Sequence, residues 1–372
     1  MPTTSLKELA QLFLKLGCTA FGGPAAHIAM MHEEVVRKRQ WFTEQHFLDL
    51  IGATNLIPGP NSTEMAIHIG QERAGWKGLI VAGLCFILPA VLITGTLAWL
   101  YKDYGQLPQV QPFIYGIKPA IIAIILAAIY PLAQKSIKTI PLVIIGISVL
   151  VLSLLHYNEM ALLFGAGFLG LSLQLFRSEK GIPSIFPILF MPFTTQQAAN
   201  NTQLFFIFLK IGALLYGSGY VLFAFLDSEL VATGILPRQQ LIDAIAVGQF
   251  TPGPVFSSVT FIGYQINGWM GAIVATIGIF LPSFIFVAML NPIVKLMRNS
   301  TVFASFLDAV NVASIAIIIA VCYTMGSSSI TDWRAVLIAG LSLIVTFGFR
   351  KVNSAFVVIG GSLLGAVLLR FF

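Results

Sequence analysis

Apolar runs long enough to cross a bilayer, separated by short polar loops, recur along the whole chain. Segments such as Leu79 to Tyr101 and Trp269 to Leu290 carry no charged residue. A helix needs about 20 apolar residues to cross a hydrocarbon core. These runs lack the alternation of a barrel strand, so the pattern predicts an all-α polytopic membrane protein.

The pattern also occurs twice. Phe13-Leu14-Lys15-Leu16-Gly17 returns as Phe208-Leu209-Lys210-Ile211-Gly212, and Phe21-Gly22-Gly23 as Tyr216-Gly217-Ser218. Asp49 matches Asp243, and Pro58-Gly59-Pro60 matches Pro252-Gly253-Pro254. Ile69-Gly70, Gly75-Trp76 and Gly78 return as Ile262-Gly263, Gly268-Trp269 and Gly271, and Leu88-Pro89 as Leu281-Pro282. Order is kept and the offset drifts only from 195 to 193, which marks a duplication. The chain divides into an N-terminal repeat (1–176), a linker (177–201) and a C-terminal repeat (202–372). Each repeat reads as about six hydrophobic elements: near 6–30, 44–70, 77–101, 112–133, 138–155 and 158–176, then near 202–226, 238–262, 269–292, 303–325, 333–349 and 353–371. The linker is polar at both ends, and its proline-rich apolar middle suits an interfacial stretch.

Charge placement adds an orientation. With six crossings per half, Lys7, Arg73, Lys77, Lys135, Lys138, Arg177 and Lys180 oppose Arg37, Lys38, Arg39 and Lys102. In the second half the bias reverses, which predicts inverted repeats. Inversion needs an odd number of crossings per half. A first element that enters and leaves on one face at its Gly-Gly-Pro break supplies it.

The breaks carry the candidate chemistry. Pro58-Gly59-Pro60 interrupts the second element near the membrane midplane, and Pro252-Gly253-Pro254 does so in the copy. Asn61 or Ser62 offers a cap for the helix that restarts there, and Asn61 with Glu64 resembles a capping box. Gly22-Gly23-Pro24 and Gly217-Ser218-Gly219 repeat the device in the first element. Paired interrupted segments point to a transport site, and helix N-termini with free amides suit an anion. The candidate substrate-binding set is Lys15, Gly22, Gly23, Pro58, Gly59, Pro60, Asn61, Ser62, Thr63, Lys210, Gly217, Ser218, Pro252, Gly253, Pro254, Ser257 and Ser258. Lys15 and Lys210 are duplicated cations in apolar stretches, where a charge is costly and the substrate would be its partner. Glu64 and His68, at i and i+4, form a candidate coupling pair; a structural pair and a metal pair are the other readings. Asp49 and Asp243 read as dipole partners at the start of their helices.

Composition narrows the class. Of 372 residues, 57% are hydrophobic and 10% charged, with a mean hydropathy of +0.89. The net charge of +6 comes from basic residues scattered over loops, a membrane-loop pattern rather than a nucleic-acid stripe. Cys18, Cys85 and Cys322 lie singly in apolar segments, so no disulfide framework or zinc site is read. No GxSxG, HExxH or Walker A sequence appears; the expectation is a non-enzyme without a cofactor. The N-terminal segment reads as its own insertion signal rather than a cleaved leader. Gly361 and Gly365 form a small-residue face that packs internally or forms a homodimer.

The region FGGPAAHIAMMHEEVVRKRQWFTEQHFLDLIGATNLIPGPNSTEMAIHIGQERAGWKG resembles the chromate ion transporter family in its long, two-half form. The likeness covers nearly the whole chain. It implies a multi-pass permease of the cytoplasmic (inner) membrane that exports chromate and gives chromate resistance, with Asn61, Ser62, Thr63 and Glu64 in the family motif. The second half departs, with Val255, Phe256, Ser257 and Ser258 after its PGP and no counterpart of Glu64 or His68. Sulfate or another tetrahedral anion is the alternative substrate, and a cation or metal carrier using Glu64 and His68 the alternative mechanism.

Overall fold

The computed structural model describes residues 4–105, 107–177, 200–217, 219–297, 301–349 and 352–371. Ser218 and nearly all of the linker, 178–199, lie outside the described residues. The first half contains α1 (Leu6–Thr19), α2 (Gly23–His32), α3 (Glu44–Thr54), α4 (Asn61–Tyr104), α5 (Gln111–Ser136), α6 (Ile140–Leu154) and α7 (Glu159–Arg177). The second repeats the series as α8 (Asn201–Leu214), α9 (Val221–Leu226), α10 (Arg238–Phe250), α11 (Ser258–Met297), α12 (Thr301–Ser329), α13 (Trp333–Gly348) and α14 (Ser354–Phe371). No strand occurs among the described residues. Windows within α4, α5, α11, α12 and α14 are long and apolar enough to cross a membrane. Leu92, Ile144, Ile277 and Ile344 are more than half exposed, an outer surface suited to lipid rather than water.

The boundaries refine the six-element reading. The first element is two helices, α1 and α2, parted at Gly22 with φ +100° and Gly23 with φ +80°. α2 continues as a wide π turn over Glu33–Lys38, and α9 does so over Asp227–Val231. The second element is α3 followed by the first part of α4. That part ends at a sharp turn where Ala74 and Gly75 leave helical geometry; Asn267 and Gly268 make the same turn in α11. Gly75 and Gly268 have φ near +60°, which favours glycine. On either side, Gly70 and Gly78 abut so closely that a Cβ on either would strike the other's carbonyl, and Gly263 with Gly271 repeats the contact. The IG-x4-GW-x-G motif is therefore a folded-back helical corner.

The long second parts of α4 and α11 fix how the halves relate. Gly95, late in α4, faces Trp269 at the start of the second part of α11, while Gly83, early in α4, faces Phe284 late in α11. Gln265 Nε2 donates to Ala98 O at 2.9 Å at the first of these ends. Equivalent helices thus run antiparallel. The relating axis crosses the helices rather than following them, as inverted repeats require. Inside each half, α1 lies on α4 through Gly17, where a Cβ would sit 2.7 Å from Phe86 O, and α8 lies on α11 through Gly212 in the same way. Gly361 and Gly365 of α14 abut Gly116 of α5, so that small-residue face is used inside the chain.

Candidate functional site

The two proline-glycine breaks are locked into the opposite halves. α1 ends at Ala20 and α8 at Leu215, each in extended geometry, leaving a terminal carbonyl that no helical turn can satisfy. Gly59 N–H donates to Leu215 O at 2.8 Å, and Gly253 N–H donates to Ala20 O at 2.8 Å. Both glycines have positive φ, +133° and +85°. A Cβ at Gly59 would strike the Glu64 carboxylate and lie 2.9 Å from Ser283 Oγ; at Gly253 it would lie 2.9 Å from the Ala90 methyl. The first-element breaks join the same crossing: Gly23 faces the Tyr220 hydroxyl, and Gly219 faces Phe256 and Pro24. Four helix interruptions, two from each half, meet in one place.

The helices that restart there present little side-chain capping. Pro60 is the N-cap of α4, and its carbonyl accepts from the amides of Thr63 and Glu64. No side chain caps the helix. The expected capping box is therefore not formed: Asn61 Nδ2 instead donates to Asn55 Oδ1 at 2.6 Å. Glu64 turns to Ser283, whose Oγ lies 3.4 Å from Glu64 Oε1. In the copy, Pro254 caps a short 3-10 turn, Val255–Ser257, again without a side-chain cap.

Several polar groups at the crossing are buried without a partner. Thr63 Oγ1, Glu64 Oε2, Ser257 Oγ and Ser258 Oγ have none, and Glu64, Thr63, Ser257 and Ser258 are fully buried. His27 Nδ1 pairs with Ser62 Oγ at 3.2 Å while its Nε2 is unpartnered. Buried polar groups are nearly always satisfied by protein, water or ligand, so this concentration marks the crossing as a place built to receive something. Beside it, a cavity of about 570 Å³ is lined by Gly22, Tyr130, Gln134, Tyr220, Thr346 and Asn353 together with apolar side chains such as Ile124 and Phe347, with no acidic side chain among the described residues of its wall. Hydroxyl and amide donors without carboxylates suit an anion.

Three expectations are corrected. Lys15 is not left unpaired: its Nζ pairs with Glu34 at 3.1 Å, and Lys210 pairs with Glu229 at 2.5 Å. Both acceptors sit on the π turns, 19 residues beyond their lysine, so the duplicated cation came with a duplicated counter-charge. Glu34 is also held by Lys38 and Arg39. Burial pushes its carboxyl up, but hydrogen bonds from Arg39, Lys15 and Lys38 outweigh that and hold it at about 2. Secondly, Glu64 and His68 are not joined; His68 Nε2 lies 4.0 Å from Glu72, which also faces His46 at 3.6 Å. Thirdly, Asp49 and Asp243 fall in the middle of α3 and α10 rather than at their starts. Asp243 is buried against Lys118 at 3.1 Å and Tyr101 at 2.5 Å. Sequence reasoning missed Lys118, His27 and Ser283; Lys118 had a signal, a lone charge inside the apolar run of α5, but its partner lies in the other half.

Fold and site together define a polytopic helical membrane protein of two inverted repeats whose broken helices cross at a buried polar centre. The chain belongs to the chromate transporter family, whose sequence model matches residues 7–171 and 202–366, one match for each half. It is 32% identical to a probable chromate transport protein of Synechococcus elongatus, over 94% of this chain and 92% of that one. It is 31% identical to the chromate transport protein of Cupriavidus metallidurans, over 98% and 94%. The uncharacterized transporter YwrA of Bacillus subtilis aligns at 26% identity with 42% of this chain but 91% of its own length, so the repeat also occurs as a separate polypeptide. No solved structure matches the chain.

Proposed function

We propose that this protein is a secondary transporter that exports chromate across the cytoplasmic membrane and thereby gives chromate resistance. The carrying observation is the crossing of four helix breaks, where the Gly59 and Gly253 amides clamp the opposite halves and the restarting segments bury the unpartnered hydroxyls of Thr63, Ser257 and Ser258. Alternating access in inverted-repeat transporters works around such a centre. The relatives named for chromate transport support the substrate. A tetrahedral dianion would be held by amides and hydroxyls at the restart of α4 and the 3-10 turn Val255–Ser257, reached through the cavity beside Gly22. Glu64, fully buried at the same break, repels a dianion when ionised and so modulates binding by its proton.

Driving force follows from charge. Each charge crossing the membrane potential is worth about 2.3 kcal/mol per 100 mV, and a dianion leaving a negative interior gains roughly twice that. Export therefore needs no coupling ion. Neutral hydroxyl and amide donors distinguish one tetrahedral dianion from another poorly, so sulfate is the specific competing reading. Chromate accumulation by everted vesicles, with sulfate as competitor, tests both: accumulation that sulfate leaves intact supports chromate, and sulfate-saturable uptake without chromate movement opposes it. The cation-carrier reading has less support, since among the described residues no three His, Cys, Asp or Glu side chains gather to hold a metal.

A further inference from the structure

One carboxylate of the second half is gripped by two groups of the first, deep between helices. Lys118 of α5 and Tyr101 of α4 engage the two oxygens of Asp243 on α10. The lysine side chain is 12% exposed and the aspartate 6%. Buried ion pairs are expensive, and apolar residues of similar volume join helices at lower cost. This one joins the halves rather than stiffening either. It sits at the end of the α4–α11 contact where the other ties are also polar: Gln265 to Ala98 O, and Lys102 over the Tyr264 ring. The opposite end is closed by Ile57, Ile67, Leu79, Val287 and Leu290. The repeat offset places Asn311 where Lys118 would be, so the lysine of this pair is not duplicated. Finally, α10 leads from Asp243 straight into the Pro252-Gly253-Pro254 break.

We propose that Lys118, Asp243 and Tyr101 form an ionic latch between the halves, which opens and recloses once per transport cycle and closes the face at the C-terminal end of α4. An inverted repeat changes access when its halves exchange conformations, so the ties at one end must part while those at the other hold. A salt bridge suits the parting end, because water entering the opened face solvates both charges. The latch rests on the transport reading above.

The test uses the full chain in proteoliposomes, with Cys18, Cys85 and Cys322 replaced. Chromate flux through that parent is measured first; its absence sinks the transport reading itself. Lys118→Cys with Asp243→Cys is then oxidised or bridged by a short bismaleimide. Flux should fall at least tenfold on linking and, for the disulfide, return on reduction. Linked protein that transports at the unlinked rate overturns the latch. A second readout covers a pair that fails to link: labelling of Ala98→Cys by an impermeant maleimide. It should change at least threefold when chromate is added, and should rise in Lys118→Met with Asp243→Leu. A static joint gives no chromate-dependent labelling, and that result also overturns the proposal.

Discussion

The amide of Gly59 in the first half donates to the carbonyl of Leu215 in the second, 2.8 Å away, and the Gly253–Ala20 bond is its repeat-related twin. Each bond satisfies a helix-end carbonyl that its own half leaves open, so neither half can complete its broken helices alone. Gly59→Ala and Gly253→Ala therefore have two costs. Each puts a side chain at positive φ, worth about 1–3 kcal/mol, and each drives a methyl into occupied space. Both variants should lower the thermal midpoint in detergent and reduce chromate flux severalfold per folded molecule. Wild-type values in both assays would show the crossing to be incidental.

Continuous helix at the first break should be worse for transport than for folding. Pro58→Ala with Pro60→Ala restores two amide donors and removes the steric bar to helix, so the amides at the restart of α4 turn to internal bonds. Expression should be retained while chromate flux drops. A well-expressed double variant with normal flux would reduce the break to a kink.

The lysines are now expected to matter for structure first. Lys15 and Lys210 each hold a glutamate on a π turn, and Lys15 is 60% exposed, so each pair should couple by no more than about 1 kcal/mol. Lys15→Ala should lower stability slightly and flux less than threefold. The pH dependence has a definite sign. Glu34 is held at about 2 against an ordinary carboxyl value of 4.5, so its contribution is fully present above pH 4.5 and is lost as pH falls toward 2. The midpoint gap between wild type and Glu34→Gln should narrow from pH 6 to pH 3; a constant gap would contradict the ion-pair origin.

Much of this was legible in the chain, for identifiable reasons. Duplication, breaks and apolar length are local or periodic signals, and α1 to α14 follow them closely. Which groups meet across the halves is not local. Asp243 looked like a helix-start residue because its partners, Tyr101 and Lys118, lie in the other half. Lys15 looked unpaired because Glu34 reaches it only after the chain turns at Gly22 and Gly23. Glu64 and His68 share a helix spacing but face different neighbours, Ser283 and Glu72.

Glu64→Gln separates modulation from coupling. Its carboxylate lies against Gly59 with one oxygen unpartnered, so removing its charge should flatten the pH dependence of chromate flux while changing the maximal rate less than threefold. Loss of flux at every pH would instead make Glu64 obligatory.

Export driven by the electrical potential is the central claim, and flux under voltage clamp tests it most directly. Chromate efflux from proteoliposomes is measured with the potential set by valinomycin and potassium while a proton gradient is held constant. Efflux should rise with interior-negative potential and fall near its passive level when the potential is clamped at zero. Undiminished efflux at zero potential, abolished in Glu64→Gln, would mean that proton exchange drives the cycle.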